Sequence, residues 1–179
     1  MEAVDKLVKD GAKGLIVDLR DNPGGWVDDA VAIADMFLPE GTVYYAEYRS
    51  GEREYAYSKD GVLSTPLVVM MNENSASASE VLAGALQDRG AATIVGVTSY
   101  GKGIIQYVLP VGSKGAGMQL TVAQYFTPNG NKVHKVGISP NVEAKLPDGD
   151  NGMYEFGDMK DPQLSKAVEV VKEKMGQQQ

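Results

Sequence analysis

The stretch from Pro66 to Glu80 constrains the fold most. Pro66-Leu-Val-Val-Met-Met71 is an unbroken apolar run bounded by Pro and Asn, the pattern of a strand buried on both faces in a parallel sheet. After Asn72-Glu-Asn74, Ala78, Val81, Leu82 and Ala85 recur at helical spacing, so the chain passes from strand to helix through Ser75, Ser77 and Ser79. Such a turn leaves the first N–H groups of the helix without intrahelical partners and holds a side chain beside them. A hydroxyl placed there can attack a carbonyl while the amides receive the developing oxyanion. The same residues have a plainer meaning: Ser77-Ala-Ser-Glu80 fits a capping box, with Ser77 as N-cap and Glu80 reaching back.

A second stretch, Ser99-Tyr-Gly-Lys102-Gly-Ile-Ile-Gln106, follows another apolar run, Ala92–Val97. Glycines on both sides of Lys102 let its backbone approach another segment closely. A lysine can act as base to a serine when burial lowers its pKa. Free lysine, near 10.4, is almost wholly protonated at neutrality; bringing it to about 7 takes roughly 4 kcal/mol. Full burial supplies shifts of that size. An apolar, crowded setting for Lys102 is therefore expected.

Earlier in the chain, Gly14–Leu19 reads as a buried strand and Arg20–Gly25 as a connection. A helix follows with Val27, Ala30, Val31, Ala34 and Leu38 on one side. Pro23 fixes a turn there, and Gly24 and Gly25 permit conformations that expose an N–H to a ligand. Thr42–Tyr57 alternates as a hairpin; its tyrosines read as cross-strand pairs rather than as a substrate groove. The repeated βα order from Gly14 to Val97 predicts an α/β fold, a layered core of βα units with partly parallel strands. Beyond Lys102, strands expected at Ile104–Val111, Met118–Tyr125 and Lys132–Val136 add an antiparallel β region. Asp161-Pro162 opens an amphipathic helix carrying Leu164, Ala167, Val168, Val171 and Met175. A single domain over residues 1–179 is expected.

Seventeen basic against 24 acidic residues give a net charge of -7, which argues against nucleic acid or an anionic membrane as partner. Without cysteine, thiolate nucleophiles, disulfides and cysteine-type zinc sites are excluded. Asp28-Asp29 and Asp148/Asp150 lack a ligand set, so no metal or cofactor is expected. The first ten residues read as a charged amphipathic helix, with neither a signal sequence nor a membrane span. The single histidine, His134, lies between two lysines of a presumed exposed hairpin and is a poor candidate for a Ser-His-Asp base.

Four ordered motifs carry a resemblance: Asp18-Leu-Arg-Asp-Asn-Pro-Gly-Gly25, the run from Asn74 to Asp88 that opens Asn-Ser-Ala-Ser-Ala-Ser-Glu, Gly101-Lys-Gly-Ile-Ile-Gln106, and Gly137-Ile-Ser-Pro-Asn141. Together they resemble the carboxy-terminal processing (tail-specific) proteases, serine peptidases of the ClpP/crotonase fold. The resemblance implies Ser77 as nucleophile, Lys102 as base and Gln106 as the residue that orients the lysine. It also implies oxyanion amides from Ala78 and from Gly24, with Gly25 the alternative. The implied substrate is protein or peptide cut near its C-terminus, and the implied location is extracytoplasmic or in a plastid lumen. In that family a PDZ domain and an earlier strand precede the segment seen here. A core without them is expected to have lost the source of tail selectivity. The other function carried forward is a weak or inactive peptide-binding module of the same fold.

Overall fold

The computed structural model describes residues 2–61, 63–112 and 115–177. In chain order its elements are α1 (Glu2–Lys9), β1 (Leu15–Asp18), α2 (Val27–Asp35), β2 (Gly41–Tyr48), β3 (Arg53–Ser58), β4 (Leu67–Met71), α3 (Ala78–Asp88), β5 (Ala92–Gly96), β6 (Ile104–Val111), β7 (Ala116–Phe126), β8 (Val142–Glu143) and α4 (Pro162–Gln177).

A parallel sheet runs in the order β1-β4-β5-β8. Its strand β4 is buried throughout because each face has a cover. Leu67, Val69 and Met71 join the core under α2 and α3, whereas Val68 and Met70 meet Ala167, Val170 and Val171 of α4. This two-sided burial is why no polar residue interrupts the run. Helix α3 is buried from Ala78 to Leu86, on every side rather than along one stripe, as a helix between two layers must be.

The second layer over α3 is an antiparallel sheet, β3-β2-β7-β6. Its tyrosines are cross-strand pairs, as their alternation predicts. Tyr45 stacks on Phe126 at 5.0 Å and meets Tyr55 at 5.3 Å, with Arg53 4.9 Å over its ring. The layered α/β core and the added antiparallel region thus both stand as the sequence predicts. One expected strand does not form. Lys132–Val136 holds a single bridge, Lys132 to Phe126, and then turns, with Lys135 at φ 62. The turn has a purpose: the Lys135 amide donates to the Gly101 carbonyl at 2.8 Å, so this segment wraps the lysine loop instead of extending the sheet.

Helix α4 is capped by Asp161, whose Oδ1 accepts from the amides of Gln163 (2.9 Å) and Leu164 (3.1 Å). Its Oδ2 lies 2.7 Å from Nη1 of Arg20, two residues past β1. Asp18 holds the other edge of the guanidinium, at 2.7 Å from Nη2. Burial weakens the Arg20 charge, but the hydrogen bonds to Asp18 and Asp161 outweigh it and hold the group above its ordinary pKa. Gln163 is a third partner, accepting from Arg20 (3.0 Å) and donating to the Ala144 carbonyl (2.7 Å).

Candidate active site

Two loops leave adjacent strands of the parallel sheet side by side, one after β1 and one after β4, and short polar side chains lace them together. The Ser75 hydroxyl donates to the Leu19 carbonyl at 2.7 Å, and the Ser79 hydroxyl donates to the Asn22 carbonyl at 3.1 Å. The Ala76 amide donates to that same Asn22 carbonyl at 3.0 Å. Asp21 accepts from the side-chain amides of Asn74 (2.8 Å) and Asn72 (3.0 Å), and these bonds hold its carboxyl below the usual carboxylate range. Ser75 and Ser79 are buried and engaged in this lacing, which leaves the half-buried Ser77 as the serine at the mouth of α3.

Ser77 adopts φ 56 and ψ -118, a conformation rare for a residue with a side chain. This is the geometry of a sharp strand-to-helix elbow that presents a hydroxyl. The capping relation is present too, since Glu80 Oε2 accepts from the Ser77 amide at 2.9 Å. Cap and elbow are one structure here, not competing ones.

Glu80 does more than cap. It is wholly buried, and its Oε2 also accepts from the Lys102 amide (2.8 Å), while Oε1 accepts from the Gly101 amide (2.7 Å) and the Ser99 hydroxyl (2.5 Å). Four donors fill the capacity of one carboxylate and bind the lysine loop to the serine turn. The glycines beside the lysine permit this approach. A Cβ on Gly101, which has φ +85, would sit 3.1 Å from the backbone nitrogens of Val136 and Gly137, and one on Gly103 would strike the His134 backbone.

The loop lacing and Glu80 place Lys102 on one cavity with Ser77. That cavity, of about 260 Å³, is also lined by Val27, Tyr44, Val81, Ile105 and Tyr125. Gln106 lies on it as well, but its amide donates to Thr121 Oγ1 (3.2 Å) and accepts from Gln119 (2.9 Å). Lys102 is exposed at the open side, contrary to the expected burial. The reason is that its backbone, not its side chain, is drawn into the core by Glu80. His134 makes no hydrogen bond to Ser77 among the described residues; its Nδ1 is buried without a partner.

Gly24 lies directly against the elbow. A Cβ there would come within 2.6 Å of the Ala76 carbonyl oxygen, 2.8 Å of the Ala78 nitrogen and 2.9 Å of Ser77 Cβ, and its φ of +95 already suits glycine. Gly24→Val should therefore slow acylation of the serine about a hundredfold, by displacing the elbow. The rate of labelling by a fluorophosphonate measures this, and a parent-like rate would show that Gly24 is not a close-contact position. The Gly24 amide is engaged by Asn22 Oδ1 at 2.9 Å. The amides of Gly25 and Ala78 have no partner among the described residues. A smaller cavity of about 160 Å³ opens beside them, lined by Leu19, Ile33, Leu82 and the exposed Trp26.

Residues 1–144 match the model of peptidase family S41. The chain belongs to this family. A carboxyl-terminal-processing protease of Synechocystis is 46% identical over 147 residues, covering 81% of this chain and 34% of that protein. CtpA of Bacillus subtilis, a carboxy-terminal processing protease, is 39% identical over 149 residues, 82% of this chain and 32% of its own length. The chain thus spans about a third of these relatives. Among solved structures, the photosystem II D1 C-terminal processing protease superposes with a TM-score of 0.75 at 41% identity, over 80% of this chain and 38% of that one. Tricorn protease, at 22% identity and a TM-score of 0.54, shares the fold. This S41 core thus has the ClpP-like layered architecture that the motifs implied.

Within the S41 core, Asp21, Asn72, Asn74, Ser99 and Tyr125 hold the site together, yet the sequence reading passed over them. Glu80 was seen as a cap alone. A trace was available, since Glu80 stands among Ala, Val and Leu on a helix apolar all round, where a carboxylate needs several donors.

Proposed function

We propose that the chain is the catalytic core of a serine endopeptidase, with Ser77 as nucleophile and Lys102 as base, that cuts protein substrates near the C-terminus. The observation that carries this reading is the strained Ser77 elbow opening onto one cavity with Lys102, beside two amides free to receive an oxyanion. The names of the relatives as C-terminal processing proteases support the substrate class.

In this mechanism a bound peptide covers the cavity and excludes water from it, and the base is the Lys102 amine. The amine takes the Ser77 proton as Oγ attacks the scissile carbonyl, and the oxyanion rests on the Gly25 and Ala78 amides. Gly25 is assigned here in place of Gly24, because the Gly24 amide already has an acceptor. The protonated lysine returns its proton to the leaving amine, and water then releases the acyl group. Gln106 would orient Lys102 only by exchanging its bonds to Thr121 and Gln119. The location proposed is extracytoplasmic or plastid-lumenal, on the strength of bacterial relatives and of one in Arabidopsis named chloroplastic. Among the described residues no helix is long and apolar enough to cross a membrane, and no group of three or more ligating side chains could hold a metal.

The test is a fluorophosphonate probe followed by peptide mapping. Label is expected on Ser77 alone. Label on Ser75 or Ser79, persisting in Ser77→Ala, would overturn the assignment.

A further inference from the structure

The base of a Ser-Lys pair must be held in place, and no side-chain hydrogen bond does this for Lys102 among the described residues. Its ammonium carries no hydrogen bond or ion pair there, and Gln106 is turned to Thr121 and Gln119. Position must come from the backbone. On the amide side Glu80 holds the N–H groups of Gly101 and Lys102. On the carbonyl side the work falls to one residue of β7.

The Tyr125 hydroxyl lies 2.6 Å from the Lys102 carbonyl oxygen and 3.0 Å from that of Ser77. A phenol has one proton to donate. The Ser77 carbonyl already accepts from the amides of Glu80 (2.9 Å) and Val81 (3.0 Å) in the first turn of α3, so the shorter contact, to Lys102, takes the proton. The Tyr125 amide also donates to the next carbonyl, that of Gly103, at 3.1 Å. One residue therefore grips two successive carbonyls of the lysine loop. It is 3% exposed and its ring packs edge-on against Tyr44 at 6.4 Å, so the grip has little slack. Burial, then the charge of Glu80, push the phenol well above its ordinary pKa, which keeps it a donor at any pH at which the protein would work.

We propose that Tyr125 is a positioning residue for the catalytic lysine: its hydroxyl fixes the Lys102 carbonyl against the serine turn, and so sets the reach of Nζ to Ser77. The proposal rests on the reading of Ser77 and Lys102 as the reacting pair. It also fits an exposed base, because fixing the peptide unit at both ends holds the Lys102 Cα, from which the side chain extends, beside the serine turn. The loss of one such constraint lets the loop relax by fractions of an ångström, a scale on which catalytic rates fall steeply.

Tyr125→Phe keeps the ring and removes the grip. It is expected to lower kcat and the rate of fluorophosphonate labelling about tenfold or more, with KM within about twofold of the parent. Val170→Ala, a core truncation on α4 across the parallel sheet from the site, controls for destabilisation and should leave both rates at parent values. The split between kcat and KM, with thermal unfolding of Tyr125→Phe followed in parallel, separates lost positioning from lost packing. Parent-like rates in Tyr125→Phe, or an equal loss in Val170→Ala, would each overturn the proposal while leaving the Ser77 assignment intact. A parent protein that takes no label at Ser77 would instead overturn the reading on which it rests.

Discussion

Alanine in place of Ser77 or of Lys102 should each lower peptide cleavage about a thousandfold or more, with the fold undisturbed. The magnitude follows from removing the proposed nucleophile or its proposed base outright, and because such a pair acts as a unit, the double variant should be no slower than either single one. The fold should survive because Ser77 is half-buried with its amide tied to Glu80, and Lys102 is exposed. His134→Ala should keep parent activity, since its side chain has no contact with Ser77 among the described hydrogen bonds. Cleavage of an unfolded peptide, with thermal unfolding followed in parallel, measures all four. If Lys102→Ala cleaves at the parent rate while His134→Ala does not, the base has been assigned to the wrong residue.

Glu80→Gln should damage stability and activity together, which distinguishes it from the first pair. The substitution preserves shape but turns one oxygen into a donor, and every group around this carboxylate is itself a donor: the amides of Ser77, Gly101 and Lys102 and the Ser99 hydroxyl. Two of the four would then face an NH2 group in a site with no solvent access. Each buried group left unpaired costs about 1–3 kcal/mol, so a loss of about 3–5 kcal/mol is expected, a large share of the stability of a domain this size. Acylation should fall with it, because the serine turn and the lysine loop lose their common anchor. Urea denaturation measures the first effect and phosphonate labelling the second. A variant within about 1 kcal/mol of the parent, with unchanged labelling, would mean that the four contacts are incidental.

Much of this architecture was legible because the core elements are dictated by local pattern. An apolar run such as Leu67–Met71 admits few environments, and the spacing of Val81, Leu82 and Ala85 fixes a helix behind it. The elbow serine was legible for the same reason, as a residue caught between a buried strand and a buried helix. The strand expected at Lys132–Val136 failed because its Lys135 amide pairs with the loop carbonyl of Gly101, and a pairing 34 residues away leaves no periodic trace. The exposure of Lys102 was hidden for a related reason: flanking glycines disclose that the backbone comes close to something, but not which way the side chain then points. Tyr125 looked like one more strand tyrosine. Its hydroxyl matters only because β7 brings it under two turns far away in the chain.

The pairing of Arg20 with the cap of α4 bears on the order in which this molecule is made. On a ribosome the two active-site loops emerge early, whereas Asp161 and Gln163 emerge some 140 residues after Arg20, the separation in the chain being 143 for Gln163. Until they arrive the guanidinium at the root of the Asn22–Gly25 loop has Asp18 alone for company, and Val68 and Met70 have no helix over them. A growing chain thus carries Ser77 well before the contacts under the Asn22–Gly25 loop can form, so the two loops are joined to each other before they are joined to α4.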